Sequence, residues 1–175
     1  MTVDEFDVFV MLPENRHRLL EFIGGEVVEV VSSNYSSMIG SSVAGKLVIF
    51  VDNYHLGFVT GANGGYKVAG ERYIPKAAFV ANHKQPEPSN EPYNPIAPDL
   101  AVEVLSPSND DREMRIKLVN YLRAGTTLWI IDGDRKQVGV YSAKYPPIIV
   151  GIKDVLDGGD VLPGFTLAVR EIFAE

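Results

Sequence analysis

The chain has 175 residues, of which 46% are hydrophobic and 22% charged, and this balance predicts one globular domain, residues 1–175, with a substantial core. It contains no cysteine, which excludes disulfide bonds and thiolate zinc sites. The net charge of -7 argues against a protein that coats nucleic acid through an overall positive charge. Any contact with DNA would therefore have to use a local patch.

The N-terminal sequence, MTVDEFDVFV, is acidic and lacks the basic residues and the apolar run of a signal peptide. No apolar run approaches the roughly 20 residues that a membrane-spanning helix needs. We therefore expect a cytoplasmic protein that makes no contact with membranes.

The first third of the chain predicts a short helix, a hairpin and a long helix. The capping box TVDE precedes a short apolar stretch, which predicts a helix that ends before Pro13. The segment LLEFIGGEVVEVV predicts a β-hairpin that turns at its paired glycines. Residues 34–53 have apolar side chains at helical spacing, and Gly40 and Gly45 in this helix could permit close packing.

The remainder predicts strands, one long loop and a central helix. GFVTG, YKVAG and YIPKAAFVA predict short strands, and NHKQPEPSNEPYNPIAP, with its many prolines, predicts a loop. PDLAVEVL predicts a buried strand before a helix that Ser108 or Asn109 caps and Gly125 closes. TLWIID and QVGVYSA predict a second hairpin, followed by IIVGI, LPGF and a terminal helix from about Ala168. The pattern as a whole predicts an α+β domain on a mixed sheet.

Two carboxylates interrupt the apolar strand PDLAVEVLSPS, residues 98–108. An ionised carboxylate is costly to bury without a partner or a cation. Asp99 and Glu103 face the same side of the strand, but they lie about 13 Å apart at ~3.3 Å per residue. Both cannot bind one magnesium ion directly, since each must come within about 2.1 Å of it. Asp99 is therefore either a helper of Glu103 after rearrangement or a residue that caps a turn.

Lysines and serines supply further candidates. Lys117 lies at the edge of the apolar stripe of the central helix. Two interpretations fit this position: a counter-charge for Glu103, or a surface lysine whose stem is buried. The serines of residues 32–42 could include a nucleophile, but no adjacent histidine supports one. Four more basic residues form either a thin basic patch or an ordinary solvated surface: Lys67, Arg72, Lys76 and Lys84.

The central motif resembles the Uma2 family of bacterial putative restriction endonucleases, which belongs to the PD-(D/E)xK nuclease-like superfamily. The resemblance rests on PDLAVEVLSPS, on Lys117 and on the run YLRAGTTLWIID at residues 121–132, and it extends over residues 15–172. It implies a restriction-endonuclease-like fold, in which helices flank the core of a mixed β-sheet.

The resemblance also implies a chemistry, the magnesium-dependent hydrolysis of DNA phosphodiesters. In this superfamily carboxylates hold the metal, which polarises the phosphate and activates water, and a lysine orients that water. Carried over by position, Glu103 is the motif glutamate, and Lys117 is the catalytic lysine because Leu105 occupies the usual lysine position. The expected metal ligands are Glu103, Asp99 and one carboxylate of the hairpin. For the hairpin ligand, the resemblance favours Glu26 over Glu21.

The main departure from the family pattern is at residue 76, where Lys76 stands in place of an expected aspartate after proline; a smaller one is Asn34-Tyr35, where the family often has a histidine. If Asp99, Glu26 or Glu71 replaces that ligand, the chain is a metal-dependent DNA endonuclease with two carboxylates within ~5 Å of each other. If Lys76 replaces the cation, its ammonium should lie about 4 Å or less from Glu103. The chain is then an inactive nuclease-fold module for binding or assembly. In either case we expect a homodimer.

Overall fold

The computed structural model describes residues 1–106 and 110–173. The helices of this part of the chain are α1 (Val3–Phe9), α2 (Asn34–Asn53), α3 (Asp111–Arg123) and a 3₁₀ helix (Val169–Ile172). The strands are β1 (Leu20–Ile23), β2 (Glu26–Glu29), β3 (Gly57–Thr60), β4 (Gly65–Val68), β5 (Glu71–Tyr73), β6 (Ala77–Ala81), β7 (Tyr93–Asn94), β8 (Leu100–Leu105), β9 (Thr127–Asp132), β10 (Gln137–Tyr141), β11 (Ile148–Gly151), β12 (Val155–Asp157) and β13 (Thr166–Ala168). Among the described residues, no helix has the length and apolar character needed to cross a membrane.

A mixed six-stranded sheet forms the centre of the fold, in the order β11-β10-β9-β8-β6-β3. Strands β8 and β9 are parallel, and the other neighbouring pairs are antiparallel. Because side chains alternate along a strand, Leu100, Val102 and Val104 of β8 pack with the buried face of α2, whereas Ala101 packs with Tyr121 of α3. The two helices therefore cover opposite faces of the sheet.

A smaller five-stranded sheet, in the order β2-β1-β5-β4-β7, joins the core on the α3 side. Its residues Ile23, Tyr66 and Tyr73 belong to the same buried cluster as Ala101 and Tyr121. The hairpin β1–β2 is thereby placed beside the middle of β8 and the buried face of α3. This junction positions the candidate site.

Most of the predicted elements are confirmed. The capping box of α1, the long helix α2, the hairpin β1–β2, the hairpin β9–β10 and a final short helix are all present. Gly25 and Gly125 have φ of 88° and 80°, left-handed values that favour glycine at the hairpin turn and after α3.

Two predicted details are wrong or displaced. The segment YIPKAAFVA is not one strand: β5 ends at Tyr73 and β6 begins at Ala77, with Pro75 between them, because proline has no N–H to donate to a neighbouring strand. The cap of α3 is Asp110, whose side chain accepts a hydrogen bond from the Arg112 N–H. The predicted caps Ser108 and Asn109 lie outside the described residues.

Candidate functional site

A buried lysine connects two buried glutamates at the junction of the two sheets. Lys117 Nζ donates to Glu21 Oε1 at 2.8 Å and to Glu103 Oε1 at 3.1 Å. The exposed fractions of the three residues are 6%, 4% and 4%. We call these three residues the Glu–Lys–Glu cluster. Because Glu21 Oε1 and Glu103 Oε1 both contact the Lys117 ammonium, these two oxygens lie close to each other.

Three different elements supply the Glu–Lys–Glu cluster, and each has a local reason to point its side chain inwards. Glu103 lies in the middle of β8 between buried neighbours, on the face that α3 covers. Lys117 lies on the buried side of α3, one turn before Tyr121. Glu21 lies in β1, all four of whose residues are buried.

Further hydrogen bonds fix the two carboxylates. The Ile74 N–H donates to Glu21 Oε1 at 2.6 Å, and the Tyr121 hydroxyl donates to Glu103 Oε1 at 3.2 Å. The Lys117 ammonium also lies 5.5 Å from the centre of the Tyr73 ring, within the range of a cation–π contact. Each buried charge therefore has specific partners, which a buried charge requires.

The pKa values of Glu103 and Lys117 are both raised, but for different reasons. Burial raises the pKa of the Glu103 carboxyl, against the opposing effect of the Lys117 ammonium. Burial alone would lower the pKa of Lys117, but Glu103 and Glu21 outweigh it, so that this pKa lies above its usual value. The lysine therefore stays protonated, and its positive charge is what stabilises two carboxylates away from water.

Lys76 stands beside this cluster without pairing with Glu103. Continuing the β6–β8 register by one residue places Lys76 opposite Glu103. Its stem instead packs against α2 at Gly40, where an added Cβ would lie 3.1 Å from Lys76 Cβ. Its ammonium is hydrogen-bonded to the Ser32 hydroxyl. Burial lowers the pKa of Lys76, whereas the charge of Glu103 raises it.

The structure therefore corrects one sequence-based expectation about Lys76. No ion pair within 4.0 Å joins Lys76 to Glu103, although both residues are described. The ammonium that neutralises Glu103 is that of Lys117. Gly40 explains the difference, since its missing side chain lets the Lys76 stem lie on α2, and Ser32 just before α2 binds the amine.

The other expected metal ligands do not join the cluster. Glu26 is exposed and lies 3.5 Å from Arg112. Asp99 accepts the Ala81 N–H at 2.8 Å and lines a different cavity, which agrees with the alternative that it stabilises a turn. A third candidate, Glu71, accepts hydrogen bonds from the Gly24 N–H and the Tyr73 hydroxyl.

The hairpin carboxylate at the site is therefore Glu21, not Glu26. The resemblance to the family implies Glu26 in preference to Glu21, and the structure reverses this order. The sequence does contain a signal for Glu21, and it is the same as for Glu103: an acidic residue interrupts an apolar run, here LLEFI. In the structure, all four residues of this strand are buried.

The residues present do not fit the magnesium ion that the resemblance implies. Magnesium prefers several oxygen ligands in octahedral geometry. The described residues contain no group of three or more acidic or histidine side chains arranged to hold a metal. Glu21 and Glu103 already share the Lys117 ammonium, and Lys76 supplies an amine where a third carboxylate is expected.

A cavity of about 170 Å³ opens beside the cluster. Its charged lining residues are Glu21, Glu29, Lys76, Glu103, Glu113 and Lys117. Its apolar lining residues are Val28, Val30, Val31, Ile74, Val104 and Met114. The cavity gives small molecules access to the region between β2, α2 and α3.

Three of the four cations of the predicted basic patch are in ion pairs. Lys67 lies 3.2 Å from Glu91, Arg72 lies 2.6 Å from Asp7, and Lys84 lies 3.5 Å from Asp99. Arg72 is also buried. These three side chains therefore do not form the free basic surface that DNA phosphates would require.

Comparisons with known proteins agree with this architecture. The family model of Uma2, described as "Putative restriction endonuclease", matches residues 4–170. A putative nuclease belonging to DUF820 from Anabaena variabilis ATCC 29413 has a similar structure, with a TM-score of 0.84 and 20% sequence identity. The alignment covers 99% of this chain and 98% of that chain. No curated protein matches the sequence significantly. The α+β fold and its nuclease-like core are thus confirmed.

Proposed function

Since the chain belongs to the Uma2 family of putative restriction endonucleases, we propose that it is a nuclease-fold protein without metal-dependent DNA cleavage, which works as a binding or assembly module. The observation that carries this proposal is the Lys117 ammonium between Glu21 and Glu103. In an active site of this superfamily, the carboxylates would hold the cation that polarises the phosphate. Here they hold a lysine that belongs to the chain itself.

The charges of the site support the same proposal. Glu21 and Glu103 carry two negative charges at most, and Lys117 and Lys76 carry two positive charges at most. A divalent cation between Glu21 and Glu103 would meet two carboxylates that Lys117 and Lys76 already balance, so that no excess negative charge of these four residues would compensate its desolvation. It would also have to displace an ammonium whose two ion pairs are buried.

The residues of the cluster have a structural role in this proposal. Lys117 joins α3 to β1 and β8 through two charge-assisted hydrogen bonds. The chain therefore keeps Glu103 and Lys117 of the family motif for their effect on stability. Retention of these two residues does not require catalysis.

A metal-dependent endonuclease remains the second candidate, and one observation favours it. Glu21 and Glu103 contact the same ammonium, so two carboxylates do converge on one point. If Lys117 moved aside, these oxygens could hold a metal, and the amine could then assist the attack of water. This candidate requires cleavage that depends on Glu103 and on added metal.

Plasmid cleavage distinguishes the two candidates. We expect the wild type to leave supercoiled DNA intact in magnesium or manganese, at any protein concentration at which it stays soluble. Lys76→Asp restores the carboxylate of the family pattern, and Lys76→Met is the matched control that removes the amine without adding a ligand. Nicking by the wild type that Glu103→Gln abolishes would establish the endonuclease instead.

The partner of the module stays a prediction. A homodimer is the first expectation, and sedimentation of the purified chain over a range of concentrations tests it.

DNA is the other expectation, since the family name implies a nucleic-acid substrate. Because the cations Lys67, Arg72 and Lys84 are paired, we expect weak DNA binding that disappears at moderate salt.

A further inference from the structure

A second and larger cavity lies near the other end of strands β8 and β9. Its volume is about 440 Å³, against about 170 Å³ for the cavity beside the Glu–Lys–Glu cluster. Asp99, just before β8, and Thr127, the first residue of β9, line it, whereas Val104 near the end of β8 lines the smaller cavity. Among the described residues, the two cavities share no lining residue. The larger cavity is therefore a separate place at which a ligand can bind.

The wall of this larger cavity contains an indole N–H that lacks a hydrogen-bond partner. Trp129 is 0% exposed, lines the cavity and packs against Phe165, with the two ring centres 5.8 Å apart. Among the described residues, Trp129 Nε1 is the only buried side-chain nitrogen or oxygen without a partner. Buried polar groups are nearly always paired, because an unpaired donor loses its hydrogen bonds to water without replacement. Since the described residues offer no acceptor, the cavity is the space from which an acceptor can reach this N–H.

The charged residues of the cavity indicate the charge of a ligand. Three aspartates and one lysine line it: Asp99, Asp157, Asp160 and Lys144. Lys84 lies 3.5 Å from Asp99 and Lys144 lies 4.0 Å from Asp160, but even with both lysines the negative charges outnumber the positive ones. Such a site repels a carboxylate or a phosphate and attracts a cation. The acceptor for the indole N–H should therefore be a neutral group.

Tyr145 adds an aromatic ring to the negative side of the cavity. This residue is 60% exposed, and its hydroxyl donates to Asp160 Oδ2 at 2.8 Å. A carboxylate beside an exposed aromatic ring suits an organic ammonium group, which gains an ion pair and a cation–π contact. The hydrogen bond between the two side chains holds them together before a ligand arrives.

We propose that this cavity binds a small aliphatic ammonium compound that carries a neutral carbonyl group. The carbonyl oxygen accepts the Trp129 indole N–H, and the ammonium lies at Asp157, Asp160 and the Tyr145 ring. Burial supports this orientation, because Trp129 is inaccessible to water whereas the other three residues are exposed at the mouth. The volume of the cavity lies in the range of small-molecule sites. Neither the Glu–Lys–Glu cluster nor a metal takes part in this binding.

The single tryptophan of the chain reports this binding directly. N-acetylputrescine, which joins a primary ammonium to an amide, is titrated into the isotopically labelled full chain, and the one indole N–H resonance is followed by NMR. We expect a saturable downfield shift, because the proton enters a hydrogen bond with the amide oxygen. Butylamine, which lacks the carbonyl, should bind about 10-fold more weakly. N-butylacetamide, which lacks the cation, should bind about threefold more weakly.

A charge variant separates binding from folding. Asp160→Asn keeps an acceptor for the Tyr145 hydroxyl but removes one negative charge at an exposed position. It should melt like the wild type and bind N-acetylputrescine about threefold more weakly. The matched control is Glu171→Gln, which removes an exposed charge outside the cavity and should leave binding unchanged.

Two results would overturn the proposal. One is an indole resonance that N-acetylputrescine does not shift at millimolar concentration, and the other is equal affinity for all three compounds. Because the two cavities share no lining residue among those described, the metal and DNA assays of the proposed function neither support nor contradict this site.

Discussion

At the scale of single residues, the Lys117 ammonium is the shared counter-charge of two buried carboxylates, Glu21 and Glu103. Replacing it with methionine leaves Glu21 and Glu103 buried without their shared cation. Removing one partner of a buried ion pair typically costs 3–5 kcal/mol, and we expect Lys117→Met to lose about that much unfolding free energy near neutral pH. Urea unfolding measures the loss. A variant within about 1 kcal/mol of the wild type would contradict a buried, charged cluster.

The same variant should depend on pH in a definite direction. Burial already raises the pKa of Glu103, and removal of Lys117 takes away the charge that opposes this rise. The folded variant then binds a proton more tightly than the unfolded chain does, so that its stability increases as the pH falls from about 7 to about 5. We expect the stability gap to the wild type to narrow over this range. The triple variant Glu21→Gln, Glu103→Gln, Lys117→Met, which has no buried charge here, is the control and should show no such change.

Some site residues could be predicted from the sequence, and the reasons are local. Glu103 stands out because apolar residues surround it in a strand, and Lys117 because it lies on the edge of an apolar helical stripe. The contact of Lys76 with Ser32 could not be predicted, because it depends on how α2 lies against β6. The place of Glu21 in the cluster could not be predicted, since the sequence alone does not say which arm of a hairpin faces the core.

At the scale of elements, two glycines of α2 allow a matched comparison. A Cβ at Gly40 would lie 3.1 Å from Lys76 Cβ, whereas nothing lies within 4 Å of a Cβ at Gly45. Gly45→Ala should therefore stabilise the protein by up to about 1 kcal/mol through helix propensity. Gly40→Ala should cost about 1–3 kcal/mol, because the Lys76 stem has to move. Chemical denaturation of both variants tests the difference, and equal effects would show that Lys76 does not pack on α2.

Helices were easier to predict than strands for a physical reason. The caps and apolar spacing of α1 and α2 are properties of adjacent residues, and both helices appear at the expected places. Strand limits depend on partners far away in the sequence, so that the break at Pro75 and the parallel pair β8–β9 could not be read from the sequence. The resemblance to a known family implied a mixed sheet flanked by helices, but it did not predict the order of the strands.

At the scale of the whole molecule, the two sheets share a core. The cluster that contains Ile23 and Tyr73 of the smaller sheet also contains Ala78 and Ala101 of the larger one. A shared core couples the unfolding of both sheets, so the single domain predicted for residues 1–175 should melt in one transition. Differential scanning calorimetry tests this, and two separable transitions would divide the chain into independent units.

The contact of Lys117 with both carboxylates has a consequence for the same melting curve. A ligand that binds only the folded protein raises its stability. Because the Lys117 ammonium already occupies the position between Glu21 and Glu103, we expect the same melting temperature in magnesium, in manganese and in EDTA. In Lys76→Asp, whose site would hold three carboxylates and one lysine, manganese should raise the melting temperature. A rise in the wild type would argue for a working metal centre.

Calorimetric titration of manganese into the wild type and Lys76→Asp, with Lys76→Met as the control, tests the central claim most directly. The claim is that residues of the chain itself occupy the place of the metal, with Lys117 holding the carboxylates and Lys76 replacing a ligand. It is supported if only Lys76→Asp binds manganese. Binding by the wild type that Glu103→Gln abolishes would contradict it, and the chain would then be a metal-dependent nuclease.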